Sequence, residues 1–186
     1  MPRTRTTPTA AERLAALEPA CTTAEALALY DDLPAVRPEE ITGRYHGREL
    51  ATGHAMDGLL VPSGWYGKQF DSVDAVHPLL FSTPKGEIFA VDPRKVPLGL
   101  VGKAPAALVD RSRALLAALK PAVRTRKPRA RLRAVEHRGV VTAAMVYDHL
   151  PIIDVFRRVD ETMLLGVMDL RIDPQPYFFI LEKDPA

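Results

Sequence analysis

The chain has 186 residues, an apolar share of 47% and a formal net charge of +2, with 25 basic residues against 23 acidic ones. That length fits one domain or two intimately packed halves, and the apolar share is enough for a core. The near balance of charge argues against a global nucleic-acid binder, and the lone Cys21 excludes an intramolecular disulfide and any multi-cysteine metal site.

Residues 1–9 are rich in Thr, Arg and Pro and read as a disordered tail without the apolar core of a secretory signal. No apolar run approaches the ~20 residues of a membrane span, so a soluble cytoplasmic protein is the expectation. Thr9-Ala10-Ala11-Glu12 has the form of a capping box, and Leu14 and Leu17 follow at helical spacing until Pro19. Thr23 is placed to cap a second helix with Leu27, Leu29 and Tyr30 on its apolar side, closed by Asp31-Asp32-Leu33-Pro34. Pro38-Glu39-Glu40 suits a single turn.

Residues 41–50 predict the first strand, and Gly47 within it predicts a bulge or strong bend. Residues 53–60 read as a short helix. In Ser63-Gly64-Trp65-Tyr66-Gly67-Lys68 two glycines bracket two large aromatics, with a cation beside them and Phe70 beyond. Glycine permits a positive φ or close approach of a neighbour. The only Trp of the chain therefore reads either as a plug at the bottom of a core or as the wall of a pocket. Leu79-Leu80-Phe81, the turn Pro84-Lys85-Gly86 and residues 87–91 predict a hairpin. The Pro- and Gly-rich residues 92–105 read as a connector. Residues 106–119 read as a helix burying Leu108, Leu115, Leu116 and Leu119, stopped by Pro121.

From Arg129 the period changes to two, and five short strands alternate with tight turns, giving an antiparallel meander. The turns are read at His137-Arg138-Gly139, Asp148-His149-Leu150-Pro151, Val159-Asp160-Glu161 and Asp173-Pro174-Gln175-Pro176. The expected fold class is α+β, mainly β: a lipocalin-like or partly closed antiparallel β-barrel with N-terminal and connecting helices. Its organisation is a tail and short helix over 1–22, a first half over 23–92, a connector and helix over 93–128, and the meander half of the same barrel over 129–186.

Arg129, Arg131 and Arg133 share one strand face and read as a solvated row. The five histidines are scattered without metal-ligand spacing, so neither a metal nor any other cofactor is expected, although a barrel could offer one axial histidine to a haem. No nucleophile motif or phosphate-cradling glycine loop is present. Asp154 and Asp169 interrupt apolar strands, which requires water, a cation or a cavity beside them. Arg157 and Arg171 are candidate partners in a cross-strand ion pair; alternatively one aspartate stands in the lumen as base or anchor.

Gly64-Trp65-Tyr66-Gly67-Lys68, followed by Pro78-Leu79-Leu80-Phe81, resembles the GXWXG-domain family of bacteria. Leu164-Leu165-Gly166-Val167-Met168-Asp169-Leu170 before an aromatic strand is similar to that family's companion C-terminal domain of unknown function. The resemblance covers most of residues 25–183 and implies architecture rather than an activity. Ser63 stands where the family name implies a glycine, so Gly64 and Gly67 carry the likeness. A looser likeness is to small lipid- and haem-binding barrels with a Gly-x-Trp element at the base.

The first functional expectation is a binding protein for a hydrophobic small molecule, fatty-acid- or isoprenoid-like. Trp65, Tyr66, Phe70 and Tyr147 would line the cavity and Lys68 would meet an acidic head group. The second is a cofactor-free isomerase, cyclase or hydrolase in the same cavity, with Asp154, Asp169, His54 or His77 moving protons. A structural module with a filled core is the third. A homodimer is compatible with each.

Overall fold

The structure is a computed structural model describing residues 7–96 and 118–185, together with residue 114. Two helices open it, α1 (Ala10–Leu17) and α2 (Thr23–Asp32). Both start in a full capping box, Thr9 with Glu12 and Thr22 with Glu25. The second cap is thus Thr22, one residue before the position predicted. Strands β1 (Gly43–Leu50), β2 (Trp65–Ser72), β3 (Ala75–Ser82) and β4 (Ile88–Ala90) follow. After the short helix α3 (Lys120–Val123) come β5 (Ala130–His137), β6 (Val140–Tyr147), β7 (Ile152–Arg158), β8 (Met163–Leu170) and β9 (Asp173–Lys183). Pro121 lies in the first turn of α3, where its missing N–H costs nothing. The helix expected over 106–119 lies almost wholly outside the described residues; Leu119 is exposed.

Eight strands form a closed antiparallel barrel in the order β2-β1-β9-β8-β7-β6-β5-β3, with β3 returning to β2; β4 adds to β3. Both halves of the chain contribute to this wall, and closure removes the sheet edges that would otherwise invite pairing. The seam between β3 and β5 is its thinnest join. It has one ladder pair, Val76 with Ala130, supported by Arg129 N–H to Val76 O at 2.9 Å and Leu132 N–H to Val73 O at 2.7 Å. The β5–β6 hairpin turns on Arg138 and Gly139, both at positive φ, the geometry that matches strand twist in a two-residue loop. The last hairpin turns at Arg171-Ile172, and Asp173-Pro174-Gln175-Pro176 already belongs to β9. Those prolines fit there because the β8–β9 register shifts between Met168 and Leu170.

Two apolar layers result. Inside the barrel lie Tyr45, Phe70, Val76, Leu132, Met145, Phe156, Phe179 and Leu181, among others. Outside it, α1 and α2 lay Leu14, Ala26, Leu29 and Tyr30 on Leu50, Leu165, Val167, Phe178 and Ile180. The alternation along β9 divides the two: Tyr177, Phe179 and Leu181 face in, while Phe178 and Ile180 face the helices.

Gly47 does not mark a bulge. The β1–β9 register runs unbroken through its pairing with Leu181. A Cβ at Gly47 would strike the Trp65 ring, so this glycine makes room for the indole. Gly166 does the same for the ring of Phe179. Residues 53–60 form turns and no helix. Asp57 takes the N–H groups of Thr52, Gly53 and His54, and Glu49 takes those of Gly58 and Leu60, which holds the backbone out of a helical path. Arg131 and Arg133 are exposed, whereas Arg129 is partly buried and pairs with Asp92 at 2.9 Å.

Candidate functional site

The site begins with a local irregularity in β2. Residues three apart on a regular strand face opposite sides of the sheet. Trp65 and Lys68 are three apart, yet both line the interior. The β2–β3 register shifts on either side of Gly67, which sits at φ +144°. A Cβ there would collide with the carbonyl oxygen of Tyr45 on the neighbouring strand. Lys68 faces in with Phe70 along the unbroken β1–β2 ladder, so Gly67 supports a bulge that turns Tyr66 out and brings Trp65 onto the face of Lys68. That is the physical meaning of the Trp-Tyr-Gly-Lys string.

Lys68 and Asp154 are the only buried lysine and one of the two buried aspartates among the described residues, at 3% and 1% exposure. Lys68 Nζ donates to Asp154 Oδ2 at 2.7 Å and to Pro78 O at 3.2 Å. Aromatic faces surround the ammonium, with ring centres of Phe179 at 4.9 Å and of Trp65 and Tyr147 at 5.8 Å each. Burial pushes the Asp154 carboxyl above its ordinary range and outweighs the opposing pull of the adjacent Lys68. Burial, helped by the charge of Asp154, raises the Tyr147 phenol well above its usual value. Asp154 Oδ1 has no hydrogen-bond partner.

This pair lies in a cavity of about 80 Å³ at one end of the barrel. Buried Trp65, Tyr147, Met168, Tyr177 and Phe179 form the inner wall with the pair, and half-buried Met56, Leu60, Leu79, Val96 and Leu150 form the rim. Deeper in the lumen lies a row of aromatic rings. Rings there meet edge to face from Trp65 through Phe179, Phe156 and Phe70 to Tyr45, with centroid separations of 6.1, 6.2, 6.0 and 5.5 Å. Plug and pocket wall are thus one residue at Trp65: its ring packs on Gly47 and Phe179 and faces the cavity.

Of the residues singled out from sequence, Trp65, Lys68, Tyr147 and Asp154 come together here. Phe70 is buried deeper, between Tyr45 and Phe156. Tyr66 points outward, where its hydroxyl donates to Asp184 at 2.8 Å. Asp169 is exposed on the outer face, since it pairs with Ile153 while Asp154 pairs with Met168. The partner of Asp154 is therefore Lys68, and neither Arg157 nor Arg171. Arg157 is buried outside the barrel, its guanidinium 5.2 Å from the Tyr30 ring centre and one N–H donated to Leu33 O. His77 Nε2 lies 3.4 Å from Asp71, away from the cavity. His54 is buried behind the rim. Its Nδ1 accepts from Met56 N–H at 3.0 Å, and its Nε2 lies 3.4 Å from Asp173. Phe179, Tyr177 and Met168 were not readable as lining residues, although Gly166 opposite an aromatic strand was a trace of the space Phe179 needs. Among the described residues, no group of three or more His, Cys, Asp or Glu could hold a metal, and no helix is long and apolar enough to cross a membrane.

A closed antiparallel barrel with a mostly apolar end cavity and one buried ion pair defines the class. Residues 28–86 match the GXWXG protein family, and residues 128–183 match a domain of unknown function, DUF4334. The chain belongs to the GXWXG family with its C-terminal companion domain. It is similar to a protein from Thermomonospora curvata of known crystal structure, at 32% identity and a TM-score of 0.70, over 95% of this chain and 99% of that one. No curated protein matches it.

Proposed function

We propose that the barrel binds a small, mainly apolar molecule by a head group that both donates and accepts a hydrogen bond, such as an alcohol. The observation that carries this reading is the unfilled valence of the Lys68–Asp154 pair. An ammonium has three N–H donors, and two of those on Lys68 are used. Asp154 Oδ1 is a buried acceptor without a donor. One donor and one acceptor remain, which a hydroxyl satisfies from a single atom.

The charge balance favours a neutral ligand. Asp154 already neutralises Lys68, so an ionised fatty acid would bring an uncompensated charge into an apolar space. An isoprenoid-like or alkyl alcohol fits better than a carboxylate. The volume sets a second limit. About 80 Å³ holds roughly three water-sized groups, well short of the ~300 Å³ at the low end of small-molecule pockets. The head group and first carbons would occupy the cavity, and a longer tail would leave between Met56, Leu60, Val96 and Leu150.

A thermal-shift titration tests this. Hexan-1-ol should raise the melting temperature in a saturable way, and hexanoate at pH 7 should do so far less. Equal shifts from both would contradict a pair that is already neutralised. A second reading, a cofactor-free enzyme, draws on the same residue. A carboxyl pushed upward by burial beside a cationic donor is equipped to move a proton on a bound substrate.

A further inference from the structure

The geometry points to a second capacity of this cavity: Lys68 forms a covalent imine with a small apolar aldehyde, and Asp154 serves as proton carrier and counter-ion. The inference rests on the ligand-binding reading above and names a reactive substrate class for the same site.

Three features support it. Lys68 is the only buried lysine among the described residues, and it lines the cavity. An amine desolvated in an apolar site is the setting in which lysine becomes a nucleophile toward carbonyl compounds. Asp154 Oδ2 is 2.7 Å from that nitrogen, within reach of its proton. The walls are Trp65, Tyr147, Met168, Phe179 and other apolar side chains, which limits competing attack by water.

The step balances. Asp154 takes one proton from the ammonium, and the free amine attacks the aldehyde carbon. The N–C bond forms as the carbonyl π pair moves to oxygen, which receives the proton back from Asp154. A second proton then passes from nitrogen through Asp154 to the carbinolamine hydroxyl. The C–O bond breaks, water leaves, and the nitrogen retains one proton as an iminium. One positive charge enters and one remains, so Asp154 ends as a carboxylate beside an iminium as it began beside an ammonium. The cavity sees no net change of charge, and no oxidant or reductant is required.

The test uses the whole protein, hexanal and cyanoborohydride, which fixes an imine as a secondary amine. Peptide mapping then ranks the lysines by rate of modification. Lys68 should be modified ahead of exposed Lys85, Lys95 and Lys127, and hexan-1-ol should slow Lys68 alone. Lys68→Arg, which keeps the charge, should abolish the fast phase. Modification confined to exposed lysines, or Lys68 no faster than they are, overturns the proposal. If Lys68 stays unmodified while hexan-1-ol still raises the melting temperature, only the imine falls. If neither compound has an effect, the binding reading falls with it. Because mapping is done on the unaltered chain, a poorly folding variant does not obscure the result.

Discussion

At the scale of single residues, the buried ion pair decides most. Removing one partner leaves a charge in the barrel with nothing to balance it. Lys68→Met or Asp154→Leu alone should each destabilise by about 3–5 kcal/mol, measured by urea unfolding. The double variant should recover most of that loss or exceed the starting stability, because two desolvated charges are replaced by apolar volume. The same double variant should lose its preference for hexan-1-ol over hexane, since only the pair distinguishes them. Single losses that simply add in the double variant would mean that the pair is not a coupled unit. Sequence exposed both charges as anomalies, one beside aromatics and one inside an apolar strand. It did not pair them, because 86 residues separate them and the nearer cations at Arg157 and Arg171 were equally plausible.

At the scale of the element, β2 carries the design. Gly67 combines a positive φ with no room for a Cβ against the Tyr45 carbonyl. Gly67→Ala should therefore cost at least about 2 kcal/mol, from strain and overpacking together. It should also weaken ligand binding, because straightening the bulge turns Trp65 away from the face that Lys68 shares with Phe70. Loss of stability with binding intact would show that the direction of Trp65 does not matter to the site. The glycines around Trp65 were legible as special positions. The bulge that lets Trp65 and Lys68 share a face was not, since only the paired register reveals the extra residue. The residue 53–60 segment was misread as helix for a related reason. Its apolar Met56, Leu59 and Leu60 mimic helical spacing, but the carboxylate of Glu49 captures the Gly58 and Leu60 N–H groups a helix would use.

At the scale of the whole molecule, closure is the main fact, and it was legible. Five period-two segments with tight turns, joined to an earlier hairpin, have few ways to hide their edges other than a barrel. The seam was not legible, because it depends on residues from the connector. Asp92 closes it, accepting from Arg94 at 2.7 Å and lying 2.9 Å from Arg129, the residue before β5. The Arg94 hydrogen bond, together with the charge of Arg129, lowers the Asp92 carboxyl from 3.8 to about 2. A carboxylate depressed on folding stabilises above its unfolded pKa and stops doing so as pH falls through the folded value. Stability should thus drop by on the order of 1 kcal/mol between pH 4 and pH 2, after allowance for solvent around Arg94. Asp92→Asn should remove that part of the acid sensitivity; an unchanged acid profile would take Asp92 out of the seam.

The central claim is that the Lys68–Asp154 pair at the inner wall of an apolar cavity reads a neutral head group. A crystal structure with bound hexan-1-ol tests it most directly. The hydroxyl oxygen should lie within hydrogen-bond distance of both Asp154 Oδ1 and Lys68 Nζ, with the alkyl chain running toward Met56 and Leu60. An alcohol bound tail-first, or bound only outside the barrel while the pair stays untouched, would contradict it.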